Sequence, residues 1–128
     1  MNARSVARVL LVLSSLAAVA AALGAWSVVA DATSASAMAE AWRMVGYATF
    51  AALFALLAAR PEASVGLWVV VLANKAVLAT SAATWLASAD GSAQAVVWDG
   101  ALTIAVLAAF LLARPWRARS LAGERLTS

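Results

Sequence analysis

The chain contains no cysteine and no histidine. The first absence excludes disulfides, thiol redox chemistry and cysteine-based zinc sites. The second excludes imidazole-ligated haem and Ser-His or Cys-His catalysis. Charge is scarce too: 12% of the residues are charged and 66% are hydrophobic. A soluble domain of 128 residues cannot hide that much apolar surface, because small domains keep much of their surface exposed. The apolar residues also come in long blocks, not in amphipathic stripes. That combination belongs to integral membrane proteins, whose solvent is lipid.

Crossing roughly 30 Å of hydrocarbon takes about 20 apolar residues as a helix. Four blocks meet that length, at about residues 9–29, 38–59, 65–87 and 95–113. The first has Arg4 and Arg8 before it and the small residues Ser34, Ala35, Ser36 and Ala37 behind it, as a signal peptide would. Its apolar run is longer than a signal core, which favours a retained span. The breaks carry turn chemistry: "VADATSASA" is small and polar, "ARPEAS" is an Arg-Pro corner, and "ASADGS" holds an Asp-Gly turn. Pro61 suits the first position of a helix, and the short corner at residues 60–64 makes the second and third spans an antiparallel hairpin. The expected fold is all-α: one four-transmembrane-helix bundle over residues 1–128, with short connections and a basic tail at residues 114–128.

Charge placement orients that bundle. Arg4, Arg8, Arg60, Arg114, Arg117, Arg119 and Arg125 fall on one side, while Asp31, Glu40, Asp90 and Asp99 fall on the other with Arg43. By the positive-inside rule both termini are cytoplasmic. The net charge of +3 therefore reports orientation, and nucleic acid is not an expected partner. The tail, with Trp116, Leu121 and Leu126 among its arginines, is expected to lie on an anionic inner leaflet. Trp26, Trp42, Trp85 and Trp98 fall near the outer interface and Trp68 and Trp116 near the inner one. An indole prefers the headgroup level, so all six are expected to anchor.

The second and fourth spans end alike, in "FALLAARPEA" and "FLLARPWRA". Phe54 follows Trp42, and Phe110 follows Trp98, by the same 12 residues (54 − 42 and 110 − 98). This hints at two related hairpins about an axis along the membrane normal.

Charges at bilayer depth cost roughly 2.5–3.5 kcal/mol on insertion scales and mark candidate sites. Three fall there: Arg43, Lys75 and Asp99. Counted from the span ends, Arg43 and Asp99 both lie roughly 6–8 Å below the outer boundary, so they are expected to pair. Glu40 can share Arg43 from position i−3, and Tyr47 continues that face one turn deeper. Lys75 falls near the midplane, about 12 Å from Asp99 along the normal, and pairs with it only if the third span tilts or sits shallower. Three roles stay open for Lys75: a structural cation bonded to carbonyls or hydroxyls, a functional cation in a wet cavity, or a contact to a partner subunit or lipid headgroup. Asn74, Ser81 and Ser88 line a second polar stripe of the third span, which is expected to pack centrally. In the first span Ala20-x-x-x-Gly24 reads as a small-residue packing seam, within the bundle or between copies.

The stretch "EAWRMVGYATFAALFALLAARP", followed by a third span ending in "SADG", resembles small four-helix DoxX-like bacterial membrane proteins. Glu40, Arg43 and Gly46 match the acid, arginine and glycine that open the second helix of that family. The resemblance covers about the middle half of the chain and implies a bacterial inner membrane; high Ala and Arg usage suggests a GC-rich bacterium. Some DoxX-like members are linked to redox complexes, but this chain has no cysteine for such chemistry. Small multidrug-resistance transporters share only the size; the central glutamate of their first helix has no counterpart at positions 9 to 29.

No catalytic constellation, cofactor motif or metal-ligand cluster is visible, so the chain is expected not to be an enzyme. The first functional expectation is an accessory membrane component that self-associates or joins a larger membrane complex. The alternative is a small transporter or ligand-binding bundle, with a polar site formed by Arg43, Tyr47, Asn74, Lys75 and Asp99 and flanked by Glu40.

Overall fold

A computed structural model describes residues 2–62, 65–84 and 92–116. Among them the chain forms four α-helices: α1 (Ala3–Ala30), α2 (Ala37–Ala59), α3 (Val65–Thr84) and α4 (Ser92–Ala113). All four are long and apolar enough to cross a membrane. The last turn expected of the third span, the Asp90-Gly91 turn, Trp85, Ser88, Arg117, Arg119 and Arg125 lie outside the described residues.

Two helices begin earlier than hydropathy alone predicts. α1 starts at Ala3 because the Asn2 side chain accepts a hydrogen bond from the Ser5 backbone N–H at 2.8 Å. That is an N-cap, and it brings Arg4 and Arg8 into the helix. α4 starts at Ser92, so its first turn takes in polar residues that an apolar-run criterion discards. α2 and α4 stop for one shared reason. Each ends at an arginine followed by proline, and a residue before proline is steered out of the helical region. Arg60 takes φ −138° and ψ 70°, and Arg114 takes the left-handed φ of 50°. Both still close the last turn, donating their N–H to Leu56 and Phe110 carbonyls at 3.0 Å. Pro61 and Pro115 are then fully buried.

The helices run up and down around the bundle. Val28 of α1 and Arg43 of α2 border one cavity, and Arg8 and Ala59 of the same two helices border a groove at the other end. On α3 and α4, Trp68 stacks on Phe110 and Lys75 meets Asp99. The intimate pairs are α1 with α2 and α3 with α4; α1 also lies along α4, whereas α2 and α3 barely meet. The third helix is therefore not central. A short connection sets the direction of α3 after α2, but helix neighbours follow from side-chain fit, and α3 fits α4. At the α1–α2 seam the Ser15 hydroxyl donates to the Ala51 carbonyl at 2.8 Å, a bond that requires close helix approach.

The core is lopsided. Toward the end that carries Arg4, Arg8, Arg60 and Arg114, the helices bury Leu11, Phe54, Leu57, Trp68, Val71 and Val106 completely or nearly so. Trp68 is not an interfacial anchor: it is fully buried, and its indole N–H donates to the Pro61 carbonyl at 2.8 Å. The partner it needs is inside the protein, so it has no call on a headgroup. Toward the opposite end, α2 buries nothing before Ala51, and described α3 and α4 bury nothing after Lys75 or before Val106. Trp26, Trp42 and Trp98 are exposed there. The outward faces are also apolar, with Leu16, Leu23, Val45, Val70, Val77 and Ile104 exposed.

Candidate functional site

The loosely packed half holds an open cavity of about 540 Å³, with Gly24, Val28, Arg43 and Trp98 of its lining exposed. All four helices wall it, and the periodicity of each explains how. On α2, Arg43, Tyr47 and Phe50 stand at i, i+4 and i+7, one face of a helix. On α1, Ala17, Ala21, Gly24 and Val28 stand at i, i+4, i+7 and i+11 and form a smooth apolar wall. α4 contributes Trp98, Asp99 and Leu102, and α3 contributes Lys75.

Lys75 stands where the packed core gives way to the cavity. It is 3% exposed. Its ammonium donates to Asp99 Oδ1 at 2.8 Å and sits 4.2 Å from the centroid of the Phe50 ring. The carboxylate supplies the counter-charge, and the ring face adds a cation–π attraction of about 0.5–2 kcal/mol. Asp99, 17% exposed, is the wetter partner. Its carbonyl also accepts the Thr103 hydroxyl at 2.6 Å, a bond within α4.

This pairing replaces the one expected from the sequence. Arg43 does not pair with Asp99; it pairs with Glu40, one turn earlier on its own helix. The reason is depth along α4: the helix already runs from Ser92, so Asp99 lies 7 residues into it (99 − 92), about 11 Å rather than about 6 Å.

Four of the six expected site residues come together: Arg43, Tyr47, Lys75 and Asp99 line the cavity. Asn74 does not; it is exposed, one residue round the helix from Lys75. Glu40 stands behind Arg43 and is not part of the lining. Phe50, Trp98 and the alanine wall were not expected. Phe50 was legible as the next step of the Arg43–Tyr47 face. Of the two seams expected at Ala20-x-x-x-Gly24, the one inside this bundle is not formed, since a Cβ built on Gly24 meets nothing within 4 Å. Small side chains permit close helix approach, but opposite a gap they simply leave room.

Chemically, the lining is rich in donors and poor in acceptors. It holds a guanidinium, an ammonium, a phenol and an indole N–H against one carboxylate. No family model, curated protein sequence or solved structure matches the chain.

Proposed function

We propose that the chain is a small multi-pass protein of a bacterial inner membrane, with both termini cytoplasmic, that binds a small molecule in the outer half of its helix bundle. The observation that carries this is the cavity itself: about 540 Å³, walled by four helices, with a buried ion pair at its inner limit. That volume falls within the range of roughly 300–1,000 Å³ typical of small-molecule sites, and an apolar lining with a few convergent polar groups is their usual chemistry. Lys75 itself is 3% exposed, and its ion pair with Asp99 closes the inner limit of that space.

The membrane assignment draws on the four apolar helices and their apolar outward faces. The orientation draws on Arg4, Arg8, Arg60 and Arg114 at one end and Asp31 and Glu40 at the other. The chain is taken as non-enzymatic and DoxX-like on the residues given above, with Arg43 now a lining residue. An accessory subunit is the lesser reading, because the Gly24 face that suggested docking looks into the cavity.

The test labels the protein with 5-fluorotryptophan in lipid nanodiscs and follows the Trp98 resonance by ¹⁹F NMR. Three probes share one apolar body and differ in head: 4-butylbenzoate, 4-butylbenzyl alcohol and 4-butylbenzylamine. At least one is expected to shift Trp98 saturably, with Trp26 and Trp42 as controls for unspecific partition. Gly24→Leu, whose Cβ meets nothing within 4 Å, is expected to fold and to abolish the shift. Failure of all three probes refutes the proposal.

A further inference from the structure

We infer that the cavity is selective for a monoanionic amphiphile, a carboxylate on an apolar body, and that Arg43 is the residue that takes its head. This rests on the cavity being a ligand site and goes on to name the ligand class.

The charges on the lining decide the sign. Two cations, Arg43 and Lys75, face one anion, Asp99. The Lys75–Asp99 pair is buried and closed at 2.8 Å, so Lys75 is already neutralised. The excess positive charge is Arg43's. Its ion-pair partner among the described residues is Glu40, at i−3, and the Arg43 side chain is 49% exposed. Glu40 holds only Nη2 through an oxygen that is itself buried, so Glu40 stays in place and an incoming carboxylate takes the remaining guanidinium N–H donors. The guanidinium fork matches a carboxylate in a bidentate way that an ammonium cannot. The Tyr47 hydroxyl, one turn deeper on the same face, is a second donor.

The rest of the lining fits the body of such a ligand. Ala17, Ala21, Gly24 and Val28 give a wall without polar side chains, and Phe50 and Trp98 give aromatic faces. A cationic head meets Arg43 at the mouth, and the one carboxylate, Asp99, already carries the Lys75 ammonium on Oδ1. A neutral head keeps the apolar contacts and accepts from the guanidinium, but without opposite charge or a bidentate fit.

The experiment is the same ¹⁹F titration, read as a ratio of affinities. 4-Butylbenzoate is expected to bind at least tenfold more tightly than 4-butylbenzyl alcohol, and 4-butylbenzylamine most weakly. Arg43→Gln is expected to lower benzoate-probe affinity about tenfold and leave the alcohol unchanged. Equal affinity for acid and alcohol, or an Arg43→Gln variant that keeps the acid's advantage, overturns the inference while the cavity remains a ligand site. Silence from every probe removes both. Benzoate, which stays in water, and palmitate, which stays in the bilayer, identify the source of the acid by which of them shifts Trp98; neither doing so overturns the inference.

Discussion

Replacing Asp99 with asparagine isolates the Lys75 ammonium without changing the size of its partner. The two charges stand 2.8 Å apart, with 4% of the lysine side chain and 17% of the aspartate side chain exposed. At an effective dielectric of about 20 their attraction is about 6 kcal/mol, most of which offsets the desolvation of the pair. Removing one partner of a fully buried pair costs about 3–5 kcal/mol. Here asparagine still offers a carbonyl, and the cavity admits water, so Asp99→Asn is expected to cost about 2–3 kcal/mol. The assay is equilibrium unfolding in mixed micelles of rising SDS fraction, followed by far-UV circular dichroism. Adding Lys75→Met should then relieve the loss, because the orphaned charge leaves with the lysine. A cost below about 0.5 kcal/mol for Asp99→Asn, or a double variant less stable than Asp99→Asn alone, refutes the pairing.

Trp68→Phe removes a buried N–H and leaves the Pro61 carbonyl without that donor, so it should lower stability by about 1–3 kcal/mol in the same titration. Ser15→Ala deletes the hydroxyl that bridges α1 to Ala51; hydrogen bonds between membrane helices average about 0.6 kcal/mol, and a loss of that size is expected by SDS unfolding. Orientation is checked by single cysteines, which are clean probes in a chain without native cysteine. With both termini cytoplasmic, a membrane-impermeant maleimide added to intact cells should label Asp31→Cys and spare Glu62→Cys; the reverse pattern inverts the topology.

The helices were legible because a membrane span is written in bulk hydropathy, and that signal survives an error of a few residues at each end. The errors at those ends then decided the chemistry. Starting α4 at residue 95 instead of Ser92 lifted Asp99 by one turn in the sequence reading and paired it with Arg43. The Lys75–Asp99 contact shows that the two residues stand level. Local capping by Asn2 and a polar first turn in α4 lie below the resolution of an apolar-run criterion. The neighbours of each helix were less legible still. α3 carries polar groups on two sides, which suggested a central position, yet Asn74 and Ser81 are exposed and only Lys75 turns inward. The alanine face of α1 could have served a seam or a cavity equally, since the difference lies in what stands opposite. The Arg43–Tyr47–Phe50 face, by contrast, follows from helical spacing alone.

The central claim is that the half of the bundle above Lys75 is open while the half below it is packed. Methanethiosulfonate labelling of single cysteines in lipid nanodiscs tests it directly, comparing Gly24→Cys on the cavity wall with Ala109→Cys in the core. A charged, water-soluble reagent should modify Gly24→Cys at least a hundredfold faster than Ala109→Cys, and 4-butylbenzoate should slow the first and not the second. Equal, slow modification at both positions would mean that the cavity is closed in the membrane and that Lys75 is only a clamp.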